Sequence, residues 1–195
     1  VLDLGANVEC SNDNLVQFAL MGDIFAQCVL GIKKPKIGLL NVGSEHIKGN
    51  STVKKAFIDF KNLGKKIDFH GFIEGDDINK GIVDVVVTDG FSGNIALKTA
   101  EGVAELIFTY LKNSYQSSII SKLGYLLSKP ALNRFKTRID PRKYNGAVLL
   151  GLNGIIVKSH GGTDAFGFSN AISVAISLIK NNYVDTIKNK LKTRA

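Results

Sequence analysis

Cysteine is scarce in this sequence, with only Cys10 and Cys28 among 195 residues. They are too few for a disulfide framework and do not stand in metal-ligand spacing, which points to a reducing cytoplasm. Long apolar runs are also missing. None approaches the ~20 consecutive apolar residues a membrane-spanning helix needs, and the opening VLDLGANVEC has no basic segment ahead of an apolar one. The expectation is a soluble, intracellular protein, in which the Asn50-Ser51-Thr52 sequon is a chance match. His46, His70 and His160 are the only histidines and have no H-x-x-x-H or C-x-x-C company, so no metal is expected. There is no G-x-G-x-x-G, the spacing from Gly43 to Gly49 misses the P-loop pattern, and GFSGN misses G-x-S-x-G. These absences argue against a Rossmann dehydrogenase, a P-loop ATPase and a serine hydrolase. An initiator methionine is lacking and the first residues already read as a strand, so a preceding part is expected to be missing.

What is present suits one compact unit, or two small lobes sharing a core: 45% of residues are hydrophobic. A net charge of +8 and a pI near 9.4 imply attraction to something acidic. The cations cluster. Lys112, Lys122, Lys129, Arg134, Lys136, Arg138, Arg142 and Lys143 are interrupted only by Asp140, and Lys188, Lys190, Lys192 and Arg194 close the chain. Nucleic acid is disfavoured, because no recognition module or basic-aromatic platform accompanies them.

Short apolar runs alternate with stretches of helical period, the pattern of βαβ units and a mostly parallel sheet flanked by helices. Strands are predicted at residues 1–4, 36–41, 67–72 and 83–88, with a further pair near 147–151 and 154–159. Helices are predicted at 12–30, at 50–63 with an Asn-Ser-Thr start and Gly64 behind it, at 94–115, and from a Thr163-Asp164 cap through 187. Three regions follow: an α/β region over 1–112, a helical projection over 113–144, and a strand pair with a helix over 145–195. In the projection Ile119, Ile120, Leu123, Leu126 and Leu127 form an apolar face, broken at Pro130. Two readings stay open there: a helical hairpin packed on its own domain or a second subunit, and an amphipathic element lying on anionic lipid.

In parallel α/β sheets, ligands sit beyond the carboxyl ends of the strands. The polar loops there are DLGANVE, NVGSEHIKGN, HGFIEGDD and TDGFSGN, with YNGAVLLGLNG and KSHGGTDAF later. Glycine lets backbone approach a ligand closely, and a helix start favours an anion such as phosphate; for any one glycine taken alone, turn duty is the plainer reading. His46 reads as a surface residue and His70 as a core or strand-edge histidine. His160 follows GIIVK and precedes Gly161-Gly162 and a helix start, so a functional and a structural reading are balanced. Lys98 lies four residues after Asn94, on one helix face. A cation near a helix amino end gains nothing from the dipole, so Lys98 is assigned either to an anion or to a salt bridge with Asp89.

Three segments carry a family resemblance: residues 1–50, VVVTDGFSGNIALKTAEGVAE, and GAVLLGLNGIIVKSHGGTDAFGFSNAI. They resemble the bacterial fatty acid/phospholipid synthesis proteins, the acyl-[acyl carrier protein]:phosphate acyltransferases. The resemblance runs nearly the whole length, weakens over 113–140, and corresponds to the carboxyl-terminal portion of such an enzyme. It implies a fold similar to that of isocitrate dehydrogenases and phosphotransacetylases, a cleft between two α/β lobes, and a homodimer. The implied reaction converts an acyl carrier protein thioester and inorganic phosphate to acyl phosphate and free carrier protein, without cofactor or metal. A cytoplasmic enzyme, peripheral to the membrane, is implied as well. On this basis Lys98 and Asn94 are expected at the phosphate or oxyanion and His160 in proton delivery or hydrogen-bond donation, with Asp89 and Glu74 orienting them. Asn7, Asn41, Ser92 and the backbone at Gly90, Gly93 and Gly161 are expected to complete the site. The alternatives are a phosphotransacetylase-like enzyme using coenzyme A and a non-catalytic module binding acidic protein or membrane.

Overall fold

The computed structural model describes residues 1–192. Arg194, the last cation of the closing basic run, lies outside the described residues. Helix α1 spans Asn12–Leu30. Its bounds are those predicted; it starts where Ser11 and Asn14 cap each other reciprocally and stops at Gly31 in the left-handed conformation. Its buried residues, among them Leu15, Val16, Phe18, Ala19, Leu20 and Ile24, leave little of its circumference to water, which is the mark of a helix inside a core.

Strand β1 (Lys36–Leu40) is central, with β2 (Asp68–Ile73) on one side and β3 (Val85–Val87) on the other. All three are parallel, which requires a crossover between β1 and β2, and α2 (Ser51–Asn62) supplies it. Asn50 caps α2 by accepting from the Val53 N–H. The predicted strand over residues 1–4 is reduced to one parallel bridge, Leu2 to Val87, extended by the Asp3 N–H donating to the Thr88 carbonyl at 3.0 Å. The register of β2 slips so that Ile37 pairs Phe69 and Gly38 pairs Gly71, leaving His70 as the extra residue of a bulge on the edge strand.

Two predicted helix boundaries move. Helix α3 runs over Gly90–Gln116, starting earlier than residue 94 because Asp89, not Asn94, caps it. The final helix divides into α5 (Ala165–Lys180) and α6 (Tyr183–Lys192). Asn182 adopts a positive φ of 47°, a conformation asparagine tolerates, and the Asn181 amide donates to the Cys28 carbonyl at 2.8 Å. The break turns Tyr183 and Ile187 into the core. The predicted strand pair shrinks to β4 (Ala147–Val148) and β5 (Val157–Lys158), antiparallel.

Helix α4 covers Ile119–Arg138 and contains Pro130, where a break was predicted. Proline removes one helical donor, yet α4 has no buried residue, so water can serve the freed carbonyl. Helices α3 and α4 form a hairpin joined by Phe108 on Phe135 (6.3 Å), Tyr115 on Tyr125 (5.4 Å) and a Tyr115–Ser128 hydroxyl pair at 3.0 Å. Ile119, Ile120, Leu123, Leu126 and Leu127 are all exposed; among the described residues nothing covers them. No helix of the described residues is long and apolar enough to cross a membrane.

Candidate active site

Because the strands run parallel, the loops after Leu4, β1, β2 and β3 emerge at one edge of the sheet, and most of the predicted site residues stand there. The first loop is organised by a carboxylate that sequence reasoning passed over. Asp3 is 4% exposed. Its carboxylate accepts from the backbone N–H of Gly5 (2.9 Å), Ala6 (3.0 Å) and Asn7 (2.6 Å), and from Asn7 Nδ2 (2.9 Å). Burial by itself raises such a carboxyl, but the donors from Ala6, Asn7 and Gly5 outweigh it and hold Asp3 below its ordinary value. The signal was present in the sequence as a carboxylate two residues ahead of a Gly-Ala-Asn loop.

This loop is locked to the start of α3. The Asn7 carbonyl accepts from the Gly90 N–H at 2.8 Å, and Asn94 Nδ2 donates to the Leu4 carbonyl at 3.1 Å. Asp89 caps α3, its carboxylate accepting from the Ser92 N–H (2.7 Å) and the Ser92 hydroxyl (2.9 Å). The approach is so close that a Cβ on Gly93 would lie 1.9 Å from the Asp3 carbonyl oxygen, which makes glycine obligatory there. Asn7, Asp89, Gly90, Ser92, Gly93 and Asn94 are thus brought together. The N–H groups of Gly90 and Gly93, read from the sequence as anion donors, are already engaged, by the Asn7 and Asp89 carbonyls respectively. Cys10 borders the same loop, where burial pushes its thiol up, so it is no ready thiolate.

Asn41, 8% exposed, closes the loop after β1. Its Nδ2 donates to the carbonyls of Gly43 (3.0 Å) and Lys48 (3.3 Å), and Gly49, at φ +91°, leaves room for its side-chain oxygen. Lys48 pairs with Glu45 at 2.9 Å and is also drawn by Glu74, which stands at the end of β2. Asn41 and Glu74 therefore flank Lys48 on the β2 side of the same sheet edge.

Lys98 is not bridged to Asp89. Its Nζ lies 2.6 Å from Glu101 in solvent, because Asp89 is committed to Ser92. His160 and Gly161 follow β5, and no hydrogen bond among the described residues joins them to Lys98, Asn94 or Asp89. The His160 N–H donates to Asn145 Oδ1 at 2.9 Å, while its Nδ1 accepts from the Gly162 N–H at 3.2 Å. An accepting Nδ1 leaves the proton of the neutral ring on Nε2, which makes His160 a hydrogen-bond donor toward solvent.

The loop of His160 is fixed by residues the sequence did not single out as a group. Asn145 Nδ2 donates to Ser159 Oγ (2.8 Å) and the Gly167 carbonyl (2.9 Å). Arg142, one of the clustered cations of the sequence, is paired to Asp140 (2.5 Å) and Asp164 (2.7 Å). Asp164 in turn caps α5. Hydrogen bonds from Arg142 hold the Asp140 carboxyl down to about 2.

The family profile described as fatty acid synthesis protein matches residues 1–186. Among curated relatives, a protein named phosphate acyltransferase from Paramagnetospirillum magneticum is 60% identical over 188 residues, 96% of this chain and 54% of the relative. The protein of the same name from Rhodospirillum rubrum is 54% identical over 191 residues, 98% of this chain and 55% of its own length. That from Gluconacetobacter diazotrophicus is 52% identical over 191 residues, covering 98% and 51%. The chain spans about half the length of the curated relatives it matches.

Proposed function

Given that this chain belongs to the fatty acid synthesis protein family, we propose that it forms one half of a phosphate acyltransferase. The reaction takes an acyl-[acyl carrier protein] and inorganic phosphate to acyl phosphate and free carrier protein. The single observation that carries the reading is the clamp of Asn7, Asp89, Gly90, Gly93 and Asn94 at the carboxyl edge of a parallel sheet, in a chain 60% identical to a relative named phosphate acyltransferase.

The chemistry suits these groups. The second proton of phosphate leaves at a pKa of roughly 6 to 7, so at neutral pH a large share of it is already the dianionic nucleophile and needs no strong base. One phosphate oxygen attacks the thioester carbon, the C–O bond forms, the C–S bond breaks, and the thiolate takes up a proton. The protein must hold the dianion, stabilise the tetrahedral oxyanion and assist the leaving sulfur. Lys98 takes the phosphate: its exposed pair with Glu101 is worth at most about 1 kcal/mol, and a dianion competes for it readily. Asn94 keeps one amide hydrogen for the oxyanion while the other holds Leu4. His160 donates a hydrogen bond from its Nε2–H to the departing sulfur, and the thiolate takes its proton from solvent. Asp89 and Glu74 position Ser92 and Lys48, and Asn7, Asn41, Gly90, Ser92, Gly93 and Gly161 shape the walls.

The same reading assigns the exposed α4 face, with Lys122, Lys129, Arg134 and Lys136 beside it, to an anionic membrane surface. It also makes the working enzyme a cytoplasmic homodimer, which sedimentation tests directly. The decisive experiment replaces the matching half of the Paramagnetospirillum relative with this chain and measures acyl phosphate from acyl carrier protein and phosphate. Turnover is expected, with loss of 10-fold or more in Lys98→Ala, Asn94→Ala and His160→Ala. Undiminished turnover in all three removes the assignment, and preference for acyl coenzyme A over the carrier thioester substitutes the phosphotransacetylase-like reaction.

A further inference from the structure

Beside β2 the surface opens into a groove of about 820 Å³ floored by Phe57, Phe60, Phe69 and Phe72. Phe57 stacks on Phe72 with ring centroids 4.4 Å apart and stands edge-on to Phe69 at 5.4 Å. A smaller depression of about 350 Å³, also lined by Phe57 and Phe72, reaches Lys54 and Ile58. Aromatic rings grouped under an open recess form the kind of floor that accepts a protruding apolar side chain. The rim is cationic. Lys34, Lys61 and Lys65 line the groove against the single carboxylate of Asp68, which Lys34 already faces at 3.5 Å. Lys61 sits 4.6 Å above the Phe57 ring. Among the described residues, Lys54, Lys61 and Lys65 have no ion-pair partner.

We propose that this groove docks an acidic amphipathic helix of the carrier protein, which seats one apolar side chain on the Phe57–Phe72 stack and sets its carboxylates against Lys54, Lys61 and Lys65. The inference rests on the proposed reaction, which needs a protein-borne thioester. Charge complementarity selects the occupant: an apolar floor ringed by unpaired lysines fits an acidic partner with an apolar anchor. A helix fits better than an added strand, because the bulge at His70 interrupts the β2 edge and lysines guard it. A lipid surface is flat and meets projecting side chains, whereas these rings are recessed. The location serves the reaction. His46, from the loop that also carries Asn41 and Lys48, packs on Phe57 at 4.6 Å, so a partner seated here abuts the β2 side of the candidate site.

The test measures anisotropy of fluorescently labelled carrier protein, without an acyl group, titrated with the 195-residue chain at low salt. Lys61→Glu/Lys65→Glu is expected to weaken binding 10-fold or more and to flatten its salt dependence. Lys180→Glu/Lys188→Glu, an equal charge change elsewhere, is expected to alter it less than twofold. Equal loss in both variants means unspecific attraction and overturns the proposal, as does unchanged binding in the first. Binding that disappears when the rest of the Paramagnetospirillum relative is joined to the chain also overturns it, because the groove is then covered. Turnover by the chimera with an unaltered carrier KM in Lys61→Glu/Lys65→Glu sinks the groove and leaves the reaction standing; absence of turnover in every version sinks the reaction.

Discussion

The Asn7 carbonyl accepts the Gly90 N–H at 2.8 Å, joining the loop after the first chain segment to the first residue of α3 across more than eighty positions of sequence. Both ends of this contact come from loops that carry glycine and amides. The amide of Asn94 repeats the link to Leu4 one turn further along α3. The helix start is thereby closed against its neighbouring loop, and an anion has to be held by side chains at the rim of the clamp.

The tightness of that clamp is testable at Gly93. A methyl group there meets the Asp3 carbonyl oxygen at 1.9 Å, a backbone atom that cannot swing away, so Gly93→Ala forces loop and helix apart. The expected loss is about 1–3 kcal/mol, the usual range for overpacking, or roughly 2–4 °C of melting temperature per kcal/mol for a chain of this size. Gly102→Ala, where nothing lies within 4 Å, is expected to be neutral or to gain up to about 1 kcal/mol through helix propensity. Calorimetry on the two variants separates close packing from a general intolerance of substitution.

Asp3 makes a pH prediction. Its folded-state value lies below the ordinary one, so its contribution to stability is fully present above the ordinary carboxylate range and is lost as pH falls through the folded value. Asp3→Asn keeps the shape but replaces one accepting oxygen by a donor facing N–H groups. Loss of hydrogen bonds to a charged acceptor costs about 1.5–3 kcal/mol. Urea titrations from pH 7 down to pH 2 are expected to give a smaller acid-side loss in the variant than in the parent chain.

How far the sequence reached is clearest at the helix ends. Ser11, Asn50 and Gly31 act locally, through bonds within a few residues of themselves, and those boundaries were legible. Asp89 is also a local cap, but the Ser-Gly-Asn that follows it imitates a loop, and the start of α3 was placed at residue 94. The Asn181–Asn182 break depends on Cys28, distant in sequence, and on the room in the core for Tyr183 and Ile187. The site divides along the same line. Residue types and the strand ends were readable, whereas the partners were not: Lys98 holds Glu101, Arg142 holds two carboxylates, and Asp3 organises the loop in which only Asn7 had been singled out.

The Arg142 pairing gives a second titration with the same sign. Asp140 is held down to about 2 by hydrogen bonds from Arg142, and Asp164 is lowered first by the Gly167 N–H and then by Arg142. The stabilising charge on both is present above the ordinary carboxylate range and lost as pH falls through the lowered values. In Arg142→Gln the carboxyl carbon resonance of Asp140 is expected to titrate well above its parent value yet below an ordinary aspartate, about 3.9, because the backbone N–H of residue 142 and the charge of Lys143 remain. Asp164 is expected to stay lowered, because Gly167 remains. A spectrum in which Asp140 still titrates near 2 rules out the guanidinium as the cause.

The α4 face supplies the prediction that separates folding from function. Leu126 and Leu127 are 64% and 84% exposed, so a charge placed there removes almost no buried area, and Leu126→Glu is expected to change stability by no more than about 0.5 kcal/mol. On an anionic bilayer the same substitution sets a carboxylate where an apolar side chain enters the headgroup region, among lipids that repel it. Flotation of the 195-residue chain with vesicles containing phosphatidylglycerol is expected, with little on neutral phosphatidylcholine, and Leu126→Glu is expected to abolish it. If sedimentation of the same variant instead reports a dimer turned monomer while flotation persists, the face is a subunit interface, and the lysines beside it are not what binds lipid.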